Sequence, residues 1–449
     1  MSTDLHELAD HMVKLAMSQG MDLAEARASS GWELSVKVRL GETELVQEAG
    51  HRGIALRVMK QKRVATSSTS DLTESGLQRL VEDATSLVDL TEADEFAGPA
   101  EPDLLCEPPH PDLDLHDEAM AEIDADSALQ RARDAEQAAL DYDPRITLSE
   151  GSNFTRVSGE SAIVLSGGFS GSTRGSYASL VVTPLVEDTD GKKRRGHYWT
   201  ARRHLCELED VTAVGQEAAR RTLRMLGARK VETQEAPVVF DPDTARSILG
   251  TFGGCITGGA IWRRSTYLLD REGTAVASPL VNITDNPLIT RAPGSRAFDG
   301  EGLRSRINPV VEAGKLSTYL LDSYSARKLG RESTASAARG GGSVSASTSN
   351  FLLMAGEQSR EELLSSTKNG LYVTEMMGFG FNAITGDFSR GAAGFWIENG
   401  KLAYPVSELT ISGNLNDMLL NIDAVADDLE LKTSTAAPTF RVSSMTIAG

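Results

Sequence analysis

Leu34-Ser35-Val36-Lys37-Val38-Arg39-Leu40 alternates apolar and polar side chains without a break. Successive residues of a strand point to opposite faces, so this run makes one buried face and one wetted face. Ile54, Leu56 and Val58 repeat the alternation after Gly53. The flanking sequence carries the other period. Upstream, over residues 4–19, Leu5, Leu8, Met12, Leu15 and Ala16 recur at helical spacing. Asp4 with Glu7 resembles a capping box, and Gly20 stands where a helix stops. Downstream, Leu77, Leu80, Val81, Ala84, Leu87 and Val88 predict a second helix over about 72–88. Helix, strands and helix in succession predict an antiparallel sheet with helices on one face, an α+β layer.

Residues 93–118 interrupt these patterns with five prolines (Pro99, Pro102, Pro108, Pro109, Pro111), nine acidic residues and no Lys or Arg. Proline fixes φ and removes a donor, so the stretch reads as an extended connector over the surface. An Ala-rich helix over about 117–141 follows, then strands at 161–166 and 178–186. An amphipathic helix over about 210–226 (Val211, Val214, Ala218, Leu223, Leu226) closes an N-terminal α+β region of residues 1–230. Residues 231–449 open on Ala236-Pro237-Val238-Val239-Phe240, a buried-strand signal. Short strand-like runs between glycine turns then predict a β-rich domain, barrel- or sandwich-like. One late helix is predicted over about 415–430, capped by Asn414, with Leu415, Met418, Leu419, Ile422, Val425, Ala426 and Leu429 on its apolar face.

Composition excludes several classes of function. The net charge of −19 opposes a nucleic-acid surface, which needs clustered Lys and Arg. The one dense basic cluster, Lys192-Lys193-Arg194-Arg195 with Arg202-Arg203 nearby, reads as a solvated turn between strands. No apolar run approaches the roughly 20 residues that span a bilayer, so no membrane role is expected. The start, Met1-Ser2-Thr3-Asp4-Leu5-His6-Glu7, has no basic or apolar leader region. Cys106, Cys206 and Cys255 are too widely spaced for a disulfide framework and fit a reducing compartment; the expected location is cytoplasmic. All the histidines (His6, His11, His51, His110, His116, His197, His204) precede residue 205. Residues 205–449 therefore cannot build a histidine metal site or a Ser-His or Cys-His pair from their own side chains.

The run Gly386-Asp387-Phe388-Ser389-Arg390-Gly391-Ala392-Ala393-Gly394-Phe395-Trp396-Ile397-Glu398-Asn399-Gly400 continues through Tyr404-Pro405-Val406-Ser407-Glu408 and Ile411-Ser412-Gly413-Asn414-Leu415. It resembles the signature of the TldD/PmbA metallopeptidase family, and closely that of its PmbA (TldE) branch. Phe298-Asp299-Gly300-Glu301-Gly302, Gly314-Lys315-Leu316 and Tyr324-Ser325-Ala326-Arg327-Lys328-Leu329-Gly330 are similar to family segments too, as are Ser67-Ser68-Thr69-Ser70-Asp71-Leu72 and Glu136-Gln137-Ala138-Ala139-Leu140. The resemblance covers nearly the whole chain. It implies a subunit of a zinc-dependent TldD/TldE peptidase that degrades unfolded or flexible peptides, a family associated with maturation of a peptide antibiotic and turnover of an antitoxin. In the TldD branch a His-Glu-x-x-x-His helix and a later cysteine carry the metal. Setting the arginine pair after that helix against Arg263-Arg264 lays it over Gly250 to Cys255, with Gly250 and Cys255 at the histidine positions and Thr251 at that of the glutamate. The later cysteine falls near residues 434–437, where there is none. The resemblance thus implies no metal and no catalytic residue in this chain, zinc in a TldD-like partner, and a heterodimer; a pseudo-symmetric homodimer is also compatible. With five glycines in residues 250–259, that helix is expected to be distorted or tightly packed.

Cys255 lacks a local base or cation and reads as a small residue filling the former metal pocket. Asp299 and Glu301 read as carboxylates bonded to local backbone, and Asp387 with Arg390 as an ion pair or turn clamp. Gly253, Gly254, Asp387, Arg390 and Glu398 are the candidates for lining a substrate groove. Gly391-Ala392-Ala393-Gly394 and Gly340-Gly341-Gly342 do not follow a phosphate-loop pattern. Peptide held by strand addition would suit a peptidase with little sequence preference. Two other readings stay open: a self-sufficient hydrolase using carboxylates or a histidine such as His197 or His204, and a peptide-binding scaffold with no hydrolytic role.

Overall fold

The alternation at residues 34–40 lies at the end of a long strand, β1 (Leu23–Arg39), in the middle of a seven-stranded sheet of the computed structural model. The structure describes residues 4–340 and 342–449; residues 1–3, at the start of the N-terminal reading, and Gly341 of the triple-glycine run lie outside the described residues. The other strands are β2 (Glu42–Lys60), β3 (Arg63–Thr69), β4 (Leu148–Leu165), β5 (Ser170–Glu187), β6 (Lys193–Arg195) and β7 (Tyr198–Arg202). Their order is β3-β2-β1-β4-β5-β6, with β7 also on β5, and every pairing is antiparallel.

Even-numbered β1 residues Ala24, Ala26, Ala28, Leu34, Val36 and Val38 are fully buried. Helices α1 (Leu5–Ser18) and α2 (Glu74–Leu90) cover the first three, packing Leu8, Met12, Leu80 and Val81 there. Helices α3 (Ala125–Leu140) and α4 (Val211–Leu223) cover the last three with Ala128, Ala132, Val214 and Ala218. The helices thus lie on one face, as the alternation requires. The helix expected over 117–141 is broken into Glu118–Ala121 and α3, because Asp124 caps a new start by accepting from the Ser127 N–H. Strands β4 and β5 are far longer than the runs 161–166 and 178–186, since their Ser-, Thr- and Gly-rich halves hide the alternation. The basic cluster is not wholly solvated: Arg194 is buried and bonded to Asp188, Asp190 and the Ala228 carbonyl.

The C-terminal β-rich region is a closed five-stranded barrel beside a smaller sheet. Strands β8 (Gln234–Phe240), β9 (Asn369–Met377), β10 (Asp387–Glu398), β11 (Lys401–Asn414) and β12 (Phe440–Ala448) follow the order β11-β10-β9-β8-β12. Pairing of Ile411 with Ile447 joins β11 to β12 and removes both edges. Helix α5 (Pro242–Cys255) packs Ile248, Leu249 and Phe252 into the same core as Val238, Phe240, Val373 and Val442. The predicted helix at 415–430 is corrected to one short helix, Leu415–Leu420, followed by a strand, Ile422–Val425. Asn414 caps it as expected, but pairing of Ile422 with Val442 and Val425 with Phe440 captures the later apolar residues as strand. The connector 93–118 binds the C-terminal region: the Arg327 guanidinium donates to the carbonyls of Phe96, Gly98 and Pro99. Among the described residues no helix is long and apolar enough to cross a membrane.

Candidate functional site

Asp241 starts α5. Its Oδ1 accepts from the Thr244 N–H and hydroxyl, each at 2.9 Å, and Pro242 supplies a preset φ in the first turn. One face of the helix is core. On the opposite face Gly250 and Gly254 are exposed, and a Cβ at Gly254 would meet nothing within 4 Å. At Gly250 the nearest atom would be the Thr435 methyl, 3.9 Å away, so residues 434–437 do lie against α5. Gly253 is the tight position, where a Cβ would stand 3.1 Å from the Phe351 ring. The helix is regular through Gly254 but stops at Cys255, and a new one spans Gly258–Trp262, where a Cβ at Gly258 would run into the Ser325 side chain.

The donors along α5 do not fit a zinc ion. Zinc takes thiolate, imidazole or carboxylate ligands. Gly250 has no side chain, and the Thr251 hydroxyl donates to the Ser247 carbonyl at 3.0 Å. Cys255 is 2% exposed, and burial pushes its thiol up to about 11 against the opposing effect of Thr266. Among the described residues no group of three or more His, Cys, Asp or Glu is arranged to hold a metal ion.

Of the predicted groove residues, Gly254 stands on the exposed face of α5, Gly253 is packed against Phe351, and Arg390 is brought to the same helix at Ser247. Arg390 reaches from β10 and donates to the Ser247 Oγ at 2.9 Å, while its buried Nε has no partner among the described residues. Asp387 and Glu398 are not brought to one groove. They occupy opposite ends of β10, on the order of 35 Å apart at strand spacing. Asp387 accepts from the Thr385 hydroxyl at 2.6 Å, a turn clamp, and makes no ion pair with Arg390. Asp299 is buried and accepts from the N–H groups of Glu301, Leu303 and Ala337, while Glu301 accepts from the Ser323 N–H. These carboxylates bind loop backbone together.

Sequence reasoning missed a cavity of about 500 Å³ between the two regions, bounded by β6, β7 and α4 on one side and by the start of α5, β9 and residues 428–437 on the other. His197 lines it, and burial lowers the pKa of that imidazole. His204 does not; its ring Nε2 sits 2.9 Å from the Asp114 carbonyl. Asp241 faces the same space, with burial first and the Asp243 charge second pushing its carboxyl up to about 7. Arg220, Arg221 and Arg224 are neighbours at the end of α4, but the rest of the lining comes from distant segments.

Three family descriptions match in chain order: PmbA/TldA metallopeptidase domain 1 over residues 24–88, the central domain over 118–226, and the C-terminal domain over 233–449. The chain belongs to the PmbA/TldD metallopeptidase family. Metalloprotease PmbA of Escherichia coli O157:H7 is 38% identical over 450 residues, covering 99% of this chain and 96% of that protein. A crystal structure from Bacteroides thetaiotaomicron, described as that of a modulator of DNA gyrase, is 27% identical with a TM-score of 0.92, covering 100% of each chain. TldE from Thermococcus kodakarensis superposes with a TM-score of 0.88 at 20% identity, over 98% of this chain and 100% of that one, and shares the PmbA/TldD fold.

Proposed function

We propose that this chain is a PmbA/TldE-type subunit of a cytoplasmic, zinc-dependent protease acting on unfolded or flexible peptides, in which a TldD-like partner holds the zinc and this chain is not itself catalytic. The observation that carries the reading is the exposed face of α5. It presents Gly250 and Gly254 as bare backbone, while the one thiol nearby, Cys255, is turned into the core and held protonated. A helix face without side chains leaves room for an extended peptide to approach the backbone. Arg390 is held beside that face by its bond to the Ser247 Oγ.

The test is peptidase activity on an unfolded peptide by the purified chain, alone and with a TldD-like partner, with and without chelator. Silence alone and chelator-sensitive cleavage by the pair is the expected result. Cleavage by the chain alone overturns the reading.

A further inference from the structure

The chain carries a net charge of −19, yet four guanidiniums converge on one wall of the cavity between its two regions. Arg220, Arg221 and Arg224 come from the end of α4, and Arg360 comes from the N-terminus of the helix Arg360–Ser366. They are close enough to act on one another. Burial, then the Arg220 charge, lowers the pKa of Arg224, and Arg360 acts on Arg220. Two carboxylates pair with the four, and a third, Asp428, acts on Arg360 through its charge. Glu217 bridges Arg220 at 2.7 Å and Arg221 at 2.9 Å, and Glu361 pairs with Arg360 at 3.0 Å. Asp428, nearby, has both oxygens taken by the Thr439 N–H and hydroxyl.

Arg224 is left over. Its side chain makes no hydrogen bond or ion pair among the described residues, and its guanidinium lies 4.3 Å from the centre of the Phe395 ring. The face of the ring attracts the cation and leaves its N–H donors without an acceptor. A half-buried arginine held this way, among four guanidiniums that face three carboxylates, suits a bidentate anion. The cavity is larger than a lone carboxylate or phosphate requires, and Trp199, Leu364 and Leu402 give it apolar wall.

We propose that this cavity binds the C-terminal carboxylate of a flexible peptide, with Arg224 as its charged anchor and Arg360 at the mouth. The proposal rests on the reading of the chain as a peptide-handling subunit and gives that subunit a second contact, separate from the α5 face. A chain end is the one charged acceptor that every peptide carries whatever its sequence. Anchoring the end therefore supplies affinity without sequence preference.

The experiment is titration calorimetry on the full chain, using three probes: a disordered Gly/Ala/Ser peptide lacking Asp and Glu as the free acid, the same peptide as its C-terminal amide, and inorganic phosphate. The amide is expected to bind at least about tenfold more weakly, the loss of a charged hydrogen bond. Arg224→Gln and Arg360→Gln should each reduce the free acid towards the amide. Arg360 is exposed, so R360Q tests the site even if R224Q disturbs the fold. Equal binding of acid and amide, no binding of either, or an acid preference that survives both substitutions overturns the proposal. Phosphate binding that needs Arg224 while neither peptide binds makes this a free-anion site and overturns the peptide assignment. Because binding is read on this chain alone, an acid-selective chain that leaves its partner's turnover unchanged keeps the pocket and loses the subunit reading.

Discussion

Glu25 is the carboxylate whose loss should loosen the two regions from each other. It lies on β1 with its side chain 7% exposed, between Arg57 on the neighbouring strand at 3.0 Å and Arg339 of the C-terminal region at 2.7 Å. Arg339 is itself 3% exposed and also donates to the Gly300 carbonyl. Glu25→Gln preserves the shape and removes the charge, leaving two guanidiniums facing each other away from water. Breaking a buried pair by deleting one partner costs about 3–5 kcal/mol, and an amide oxygen recovers part of it, so about 3 kcal/mol is expected. Arg339→Met is milder, because Arg57 still neutralises Glu25. The double variant should cost less than the sum, by about 1–3 kcal/mol.

The assay is urea unfolding of wild type, E25Q, R339M and the double variant at neutral pH, followed by acid titration. Burial raises the pKa of Glu25, but Arg57 and Arg339 outweigh it and the net shift is downward. Its stabilisation is therefore present above the unfolded carboxylate value of about 4.3 and lost as pH falls through the lower folded value. E25Q should lack that acid-sensitive component. An E25Q chain within about 0.5 kcal/mol of wild type, or strict additivity in the double variant, would refute the reasoning.

Other consequences are as direct. Cys106 and Cys255 are buried and Cys206 is exposed, so titration of the native chain with a thiol reagent should give one fast thiol, with the other two reacting only on unfolding. Asp241→Asn keeps the cap on α5 and removes the buried carboxyl. The folded value of about 7 exceeds the unfolded one, so wild-type stability falls as pH rises from about 4 to 7 and the variant should not share that slope. Phe252→Ala empties a fully buried site stacked against Phe351 and should cost about 3–5 kcal/mol by urea unfolding, with a loosened α5 read by hydrogen exchange.

Where one face of an element is buried, its period was plain. The boundaries of α1 and α2 agree with the apolar spacing to within about two residues, the ordinary fraying of helix ends, and α4 stops at Leu223, short of the expected 226. The run 422–429 was misread because Ile422, Val425, Ala426 and Leu429 satisfy a helical face as well as a short buried strand. Local pattern cannot separate the two; a free partner strand, β12, does. At the candidate site, the bare face of α5 and Arg390 were visible as a glycine run and a family motif. The cavity was not, because its cations are spread over α4, β6, α5 and residues 360 and 432 and have no common spacing.

By itself the sequence determined membership of the PmbA/TldD family, the α+β class and the absence of histidine after residue 204, since motif, periodicity and composition are properties of neighbouring residues. Tertiary structure alone decided that residues 410–412 meet the last strand and close the barrel, that Asp387 and Glu398 stand apart, and that Arg224 and Arg360 line one cavity. Each of these depends on which distant backbones pair. That choice follows from burying every face and pairing every edge at once, which no local window of sequence records.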